Sequence, residues 1–227
     1  MNIKPLLIAN SILIAAMAGA SAWVWQSIAP EAQLPVHWNI EGHVDRLGSK
    51  TEALLLLPAI AIILTLVFVF LPRLDPRRTN LESSSKMWNA AAIGAVALLA
   101  YVHALLVMSA RGRSVDVGDY LIPALSILFI VIGNYLPKTR SNWFAGVRTP
   151  WTMSSEYSWG KTHRLASRLF MGSGAASLLA WPTVGAKIAI FVLVGTLLGT
   201  TVISVAASYF FWKADPARAG TQASGKA

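Results

Sequence analysis

The segment Leu34–Lys50, LPVHWNIEGHVDRLGSK, sets two histidines, a tryptophan, an asparagine, two carboxylates and two glycines inside a hydrophobic chain. Imidazole and carboxylate are zinc ligands. His37 and His43 with Glu41 or Asp45, and His103 as a fourth group, are therefore one candidate constellation. The spacing argues against it, because no helical i,i+4 histidine pair and no H-E-x-x-H run is present. The same residue types also make a recognition loop or a turn-rich connector whose polar side chains bond their own backbone. Pro35 biases Leu34 towards extended backbone, and Gly42 and Gly48 permit sharp turns. Ser49 or Thr51 can cap a following helix with Glu52 in its first turn. We expect a shaped loop and no metal, with His37, Trp38, Asn39, Asp45 and Lys50 as the candidate ligand-binding residues.

The second polar stretch is Gly133–Phe170, GNYLPKTRSNWFAGVRTPWTMSSEYSWGKTHRLASRLF. Ser154, Ser155, Glu156 and His163 are residue types of hydrolytic sites, yet no G-x-S-x-G elbow accompanies them. Ser155 and His163 lie eight residues apart, about 12 Å along one helix, too far for a hydrogen bond. No catalytic residue and no cofactor is expected. The cap candidates at 152–155 and Glu156 start a helix. On it Trp159, His163, Ala166 and Phe170 share one face, and Lys161, Arg164 and Arg168 another. That pattern predicts an amphipathic helix on the inner membrane surface that turns into a span. Its basic side chains can pair with lipid phosphates.

The elements that position these loops are membrane spans. Of 227 residues, 55% are hydrophobic and 13% charged, against about 25% charged in a soluble domain. Uncharged runs fill 53–71, 87–110, 120–137 and 188–212, and about 20 apolar residues cross the hydrocarbon core. The expected fold is all-α, a polytopic membrane helix bundle with about six transmembrane helices and one interfacial amphipathic helix. The spans fall at roughly 6–28, 53–72, 88–110, 120–136, 165–181 and 187–211. Within them His103, Asn10 and Thr65 are expected to bond across helices. The first span has a rival reading, a signal peptide ending in AGASA at 18–22, which the aromatic belt residues Trp23 and Trp25 oppose. The segment 214–227, small, polar and bearing Gly and Pro, is expected to be a disordered tail.

The net charge of +9 invites a nucleic-acid reading, but its distribution does not support one. Of 19 Lys and Arg, alternate sides of the six spans take 13 and 5, with Arg168 inside the fifth span. Such a bias places both termini on the cytoplasmic side of the membrane. The chain has no cysteine, which excludes disulfide, thiolate-metal and thiol chemistry.

Both polar segments carry recognisable motifs. P-x-H-W-N-x-x-G-x-x-D followed by S-K, Pro35 to Lys50, resembles a bacterial membrane domain of unassigned function. G-N-Y-x-P-K, N-W-F-x-G-x-R-T-P-W-T and the S-W-x-K-T-H-R-x-x-x-R-L-F run, Gly133 to Phe170, resemble the SdpI family. That resemblance implies domains at 1–86 and 87–213. It also implies a six-span plasma-membrane protein that protects its producer from a secreted membrane-active peptide toxin, with signalling through capture of a cytoplasmic repressor. The matching inner positions include Asn142, Arg148, Trp151, His163, Arg164 and Arg168, the candidate partner- and lipid-binding residues. Glu41 and His43 lie outside the pattern, which weighs further against metal. A small-amphiphile transporter or exporter and a metal-assisted membrane enzyme stay open as alternatives, and neither motif fixes the oligomeric state.

Overall fold

The computed structural model describes residues 1–218. Five helices are long and apolar enough to cross a membrane. α1 (Lys4–Trp25) opens with Pro5 in its first turn, where a missing N–H is harmless. A hairpin of β1 (Gln33–Trp38) and β2 (Val44–Ser49) follows. Next come α2 (Lys50–Phe70), the short α3 (Arg78–Ser83), α4 (Ser85–Ala110) and α5 (Val117–Tyr135). One turn, α6 (Pro150–Ser154), precedes α7 (Glu156–Lys213). The backbone of α7 leaves helical geometry at Gly185, φ 79°, a conformation glycine adopts without a Cβ penalty. Gly185 thus divides α7 into arms at 156–184 and 186–213, and the six expected spans become four helices and two arms.

The starts of the helices follow the sequence. Ser49 caps α2, accepting from the Glu52 N–H at 3.2 Å, and Asp116 caps α5 through the Asp119 N–H. Ser155 caps α7 by accepting from the Ser158 N–H at 3.0 Å, each cap satisfying an otherwise orphaned donor.

Large apolar side chains point outward along the helices, among them Ile12, Ile63, Leu179, Leu198 and Val202, as a hydrocarbon solvent requires. Polar groups within the spans bond across helices. The Asn10 amide donates to Thr65 Oγ1 at 3.0 Å. His103 Nε2 lies 3.0 Å from Ser21 Oγ and 3.2 Å from the Met17 carbonyl. α1, α2 and α4 share buried clusters such as Met17, Ala61 and Val96. α5 packs on α7 by close backbone approach: a Cβ at Gly133 or Gly174 would meet the Ser167 or Ser126 carbonyl at 3.0 or 2.5 Å. Gly195 and Gly199 have open space around them, so they seal nothing within this chain. The two packing groups meet where α4 contacts α5.

The loops collect at two poles. The hairpin, the 111–116 turn and Gly185–Lys187 meet at one, where Lys187 Nζ reaches Glu41 at 3.2 Å. The N-terminus, the 71–86 segment, the 136–155 loop and Asp215 meet at the other, where the Met1 ammonium pairs with Glu82 at 3.2 Å. Part of the expected tail is packed there, since Ser155 Oγ donates to Asp215 Oδ2 at 2.6 Å. The remainder, 219–227, lies outside the described residues.

Candidate functional site

At the first pole, the segment expected as an irregular loop is an antiparallel hairpin, with Leu34 opposite Gly48 and Trp38 opposite Val44. Leu34, Val36 and Trp38 alternate at period two, the signal a strand gives, though Pro35 and the clustered polar residues mask it. Asn39 builds the tip. Its Oδ1 accepts the N–H groups of Glu41 (2.9 Å) and His43 (3.0 Å), and Gly42 turns the chain at φ 81°. Gly48 lies beneath Val36, where a Cβ would approach Cγ1 to 2.9 Å. Lys50 is buried. Its Nζ donates to the Ile28 carbonyl at 2.8 Å and sits 4.5 Å from the Trp25 ring centre, which ties the hairpin base to the end of α1. Asn39 and Lys50 therefore shape the hairpin from within.

His37 and Asp45 point outward, with Nδ1 2.5 Å from Oδ1. Among the described residues no three His, Asp or Glu side chains converge as a metal-ligand set. Beneath the hairpin lies an apolar fissure of about 270 Å³. Trp38, Leu56, Leu105, Leu106 and Leu121 form its walls, and His37, Arg46 and Glu52 its polar lip. Arg46 pairs with Glu52 at 2.6 Å across that lip. Beside it a wider basin of about 800 Å³ is lined by Gly42, Tyr101, Asp116, Asp119 and Trp181. Trp181 Nε1 donates to Asp119 Oδ1 at 3.1 Å. Fissure and basin together offer an apolar slot next to an acidic surface. Arg46, Asp116 and Asp119 were not singled out from the sequence, and Glu52 only as a first-turn carboxylate, because their relation to Trp38 is set by tertiary packing.

At the second pole the polar residues of the inner loop close on one another. Asn142 is buried and saturated: Oδ1 accepts from the N–H groups of Phe144 (2.9 Å) and Ala145 (2.7 Å), and Nδ2 donates to the carbonyls of Arg140 and Ala145. His163 is buried with its ring stacked on Trp159 at 4.1 Å. Its Nδ1 donates to the Trp159 carbonyl and its Nε2 accepts from the Val147 N–H at 3.0 Å, an arrangement that only the neutral Nδ1–H tautomer satisfies. Gly146 has φ 119°, and a Cβ there would lie 2.1 Å from His163 Nε2. The amphipathic segment at 156–170 is present and continuous with the fifth span. Its Trp159–His163 face packs on the chain's own loop, with Trp159 Nε1 donating to the Thr139 carbonyl at 3.1 Å.

The 75–84 segment, unremarked in the sequence, completes this knot. Asp75 accepts the Trp143 N–H at 3.1 Å, and Arg77 donates to Ser141 and to the Met153 carbonyl. Asn80 donates to the Ser141 carbonyl, and Ser84 Oγ accepts the Arg140 N–H. The run of short polar residues from Asp75 to Ser84 was the available signal. Of the six inner candidates, Asn142 and His163 are thus internal, Trp151 is half-buried against Tyr209, and Arg148, Arg164 and Arg168 are exposed.

Residues 138–208 match the SdpI/YfhL protein family, and residues 12–62 match a domain of unknown function, DUF1648. The Immunity protein SdpI of Bacillus subtilis (strain 168) is 24% identical over 203 residues, 89% of this chain and 94% of that protein. No solved structure matches. The inner knot falls largely inside one match and the hairpin inside the other, so this chain is similar to the SdpI family at the inner pole and to an SdpI immunity protein over nearly the full length of both chains.

Proposed function

We propose that this protein is a non-enzymatic membrane immunity protein that protects its cell from a secreted, membrane-active peptide. The observation that carries the reading is the similarity to an immunity protein over nearly the full length of both chains. In this reading the hairpin pole faces outward. The basic pole, with the N-terminus and the end of α7, faces the cytoplasm, following the Lys and Arg bias. The fissure lined by Trp38, with His37, Arg46 and Glu52 at its lip, takes an apolar side chain of the toxin. Asp116 and Asp119 in the adjoining basin suit a basic group beside it. Asp45 orients His37, and Asn39 and Lys50 hold the hairpin in shape.

Signalling through capture of a cytoplasmic repressor would use the exposed Arg148, Arg164 and Arg168 with Trp151. It requires the toxin to favour one helix arrangement over another. The second arm of α7 is tied to the hairpin pole by Lys187–Glu41 and to the inner loop by Ser208, which contacts Thr149 and Ser158, so it is the element to bias.

The test is survival of a toxin-sensitive bacterium with and without this gene, across a panel of purified secreted killing peptides. Protection against at least one peptide supports immunity. Equal killing with every peptide, at verified expression, removes it as the general role. Orientation is testable in the same cells. The chain has no cysteine, so Ile40→Cys and Trp143→Cys label without background. A membrane-impermeant maleimide is expected to reach the first in intact cells and the second only after lysis.

A further inference from the structure

The basic pole contains a second cavity, of about 390 Å³, between α4, α5 and the two arms of α7. This lies within the range of small-ligand sites, about 300–1,000 Å³. Its walls are apolar and come from spanning helices: Met87, Ile132, Leu136, Phe170 and Val205. Four polar residues interrupt them, Arg148, Thr149, Thr201 and Ser204. Arg148 stands at the rim, exposed, and among the described residues it donates only to the Trp143 carbonyl at 2.5 Å. Among the described residues no carboxylate lies within ion-pair distance of it. Ser204 is 1% exposed, and its hydroxyl is sealed within the wall, out of reach of the cavity.

We infer that this cavity binds one anionic phospholipid, with an acyl chain along Phe170 and Val205 and the phosphate at Arg148. Charge and position select this occupant. The apolar walls belong to membrane-spanning helices, so the entrant comes from the lipid phase. The unneutralised guanidinium at the rim suits a phosphate, the chemistry by which basic pockets between spanning helices select anionic headgroups. The site is independent of the immunity reading, because it needs no toxin.

The test is native mass spectrometry of the purified chain released from zwitterionic detergent, with phosphatidylglycerol or phosphatidylcholine added at equal concentration. Thermal shift with inorganic phosphate serves as the headgroup control. Wild type is expected to retain one phosphatidylglycerol about tenfold more than phosphatidylcholine. Arg148→Gln is expected to abolish that preference. Val205→Trp, which fills the cavity from a partly exposed position and leaves the charge intact, is expected to lower retention of both lipids. Equal retention of the two lipids by wild type overturns the proposal, as does retention that Val205→Trp leaves unchanged. Stabilisation by inorganic phosphate as large as that by phosphatidylglycerol, and insensitive to Val205→Trp, assigns a simple anion site instead and also overturns it. Should Arg148→Gln fail to fold, Val205→Trp decides alone.

Discussion

Gly146 and His163 lie 17 residues apart in sequence and are locked together in space, so substituting either reports on the inner knot. Gly146→Ala introduces a side chain at φ 119°, a backbone that costs a non-glycine residue about 1–3 kcal/mol. The new Cβ would also fall 2.1 Å from His163 Nε2. The ring must move, leaving the Val147 N–H and the imidazole nitrogen unpaired in a buried site at a further ~1–3 kcal/mol. We expect a loss of about 3–5 kcal/mol in total. In a His163→Ala background the obstruction is gone and only the backbone cost of about 1–3 kcal/mol persists. The double mutant is therefore expected to be more stable than the sum of the single losses predicts, by about 2 kcal/mol. Equilibrium unfolding in mixed micelles titrated with sodium dodecyl sulfate, followed by tryptophan emission, measures all four corners of the cycle. Additivity within about 0.5 kcal/mol would mean the two residues are not in contact, and the account of the knot would be wrong.

Other substitutions test the remaining joints. Asn142→Ala removes four hydrogen bonds within a buried turn and is expected to cost at least about 3 kcal/mol, whereas Asn142→Asp keeps the two acceptor bonds and costs less, by the same unfolding titration. Lys50→Met keeps the apolar stem but removes the ammonium bond to the Ile28 carbonyl, and is expected to lose about 1.5–3 kcal/mol in thermal denaturation. The Met1 ammonium, followed by Arg78, holds the Glu82 carboxyl below its ordinary value of 4.5. Its stabilisation is thus complete above that value and is lost as the pH falls through the lower folded value. The stability gap between wild type and Glu82→Gln is expected to close on acidification, and a gap constant from neutral to acid pH would contradict this.

The spans were legible because hydrocarbon imposes one rule on every residue it touches. The uncharged runs at 53–71, 87–110, 120–137 and 188–212 correspond to helices or to an arm of a helix. The interhelical partnership of Asn10 and Thr65 followed from the same rule. The polar segments were harder, since the residue types that recognise a ligand also close a turn. Asn142 and His163 look like docking groups in sequence, yet both are consumed by backbone partners that a linear pattern does not specify. The hairpin was hidden similarly: its strands are six residues each, one interrupted by Pro35, and the alternation of Leu34, Val36 and Trp38 competes with strong turn signals. The fissure was not legible at all. Its walls come from the hairpin, α2, α4 and α5, and no spacing rule connects Trp38 with Leu121.

The account rests most heavily on the hairpin pole as the surface the toxin meets. The direct measurement is survival of cells challenged with a peptide against which the wild-type protein protects. Leu121→Trp, which fills the fissure, and Trp38→Ala, which opens it, are compared with Arg113→Gln, on the same pole but outside both cavities, at equal membrane levels of each protein. The account predicts at least tenfold lower survival for Leu121→Trp and Trp38→Ala, and full protection from Arg113→Gln. Full protection from both fissure variants would contradict it and place toxin recognition elsewhere on the protein.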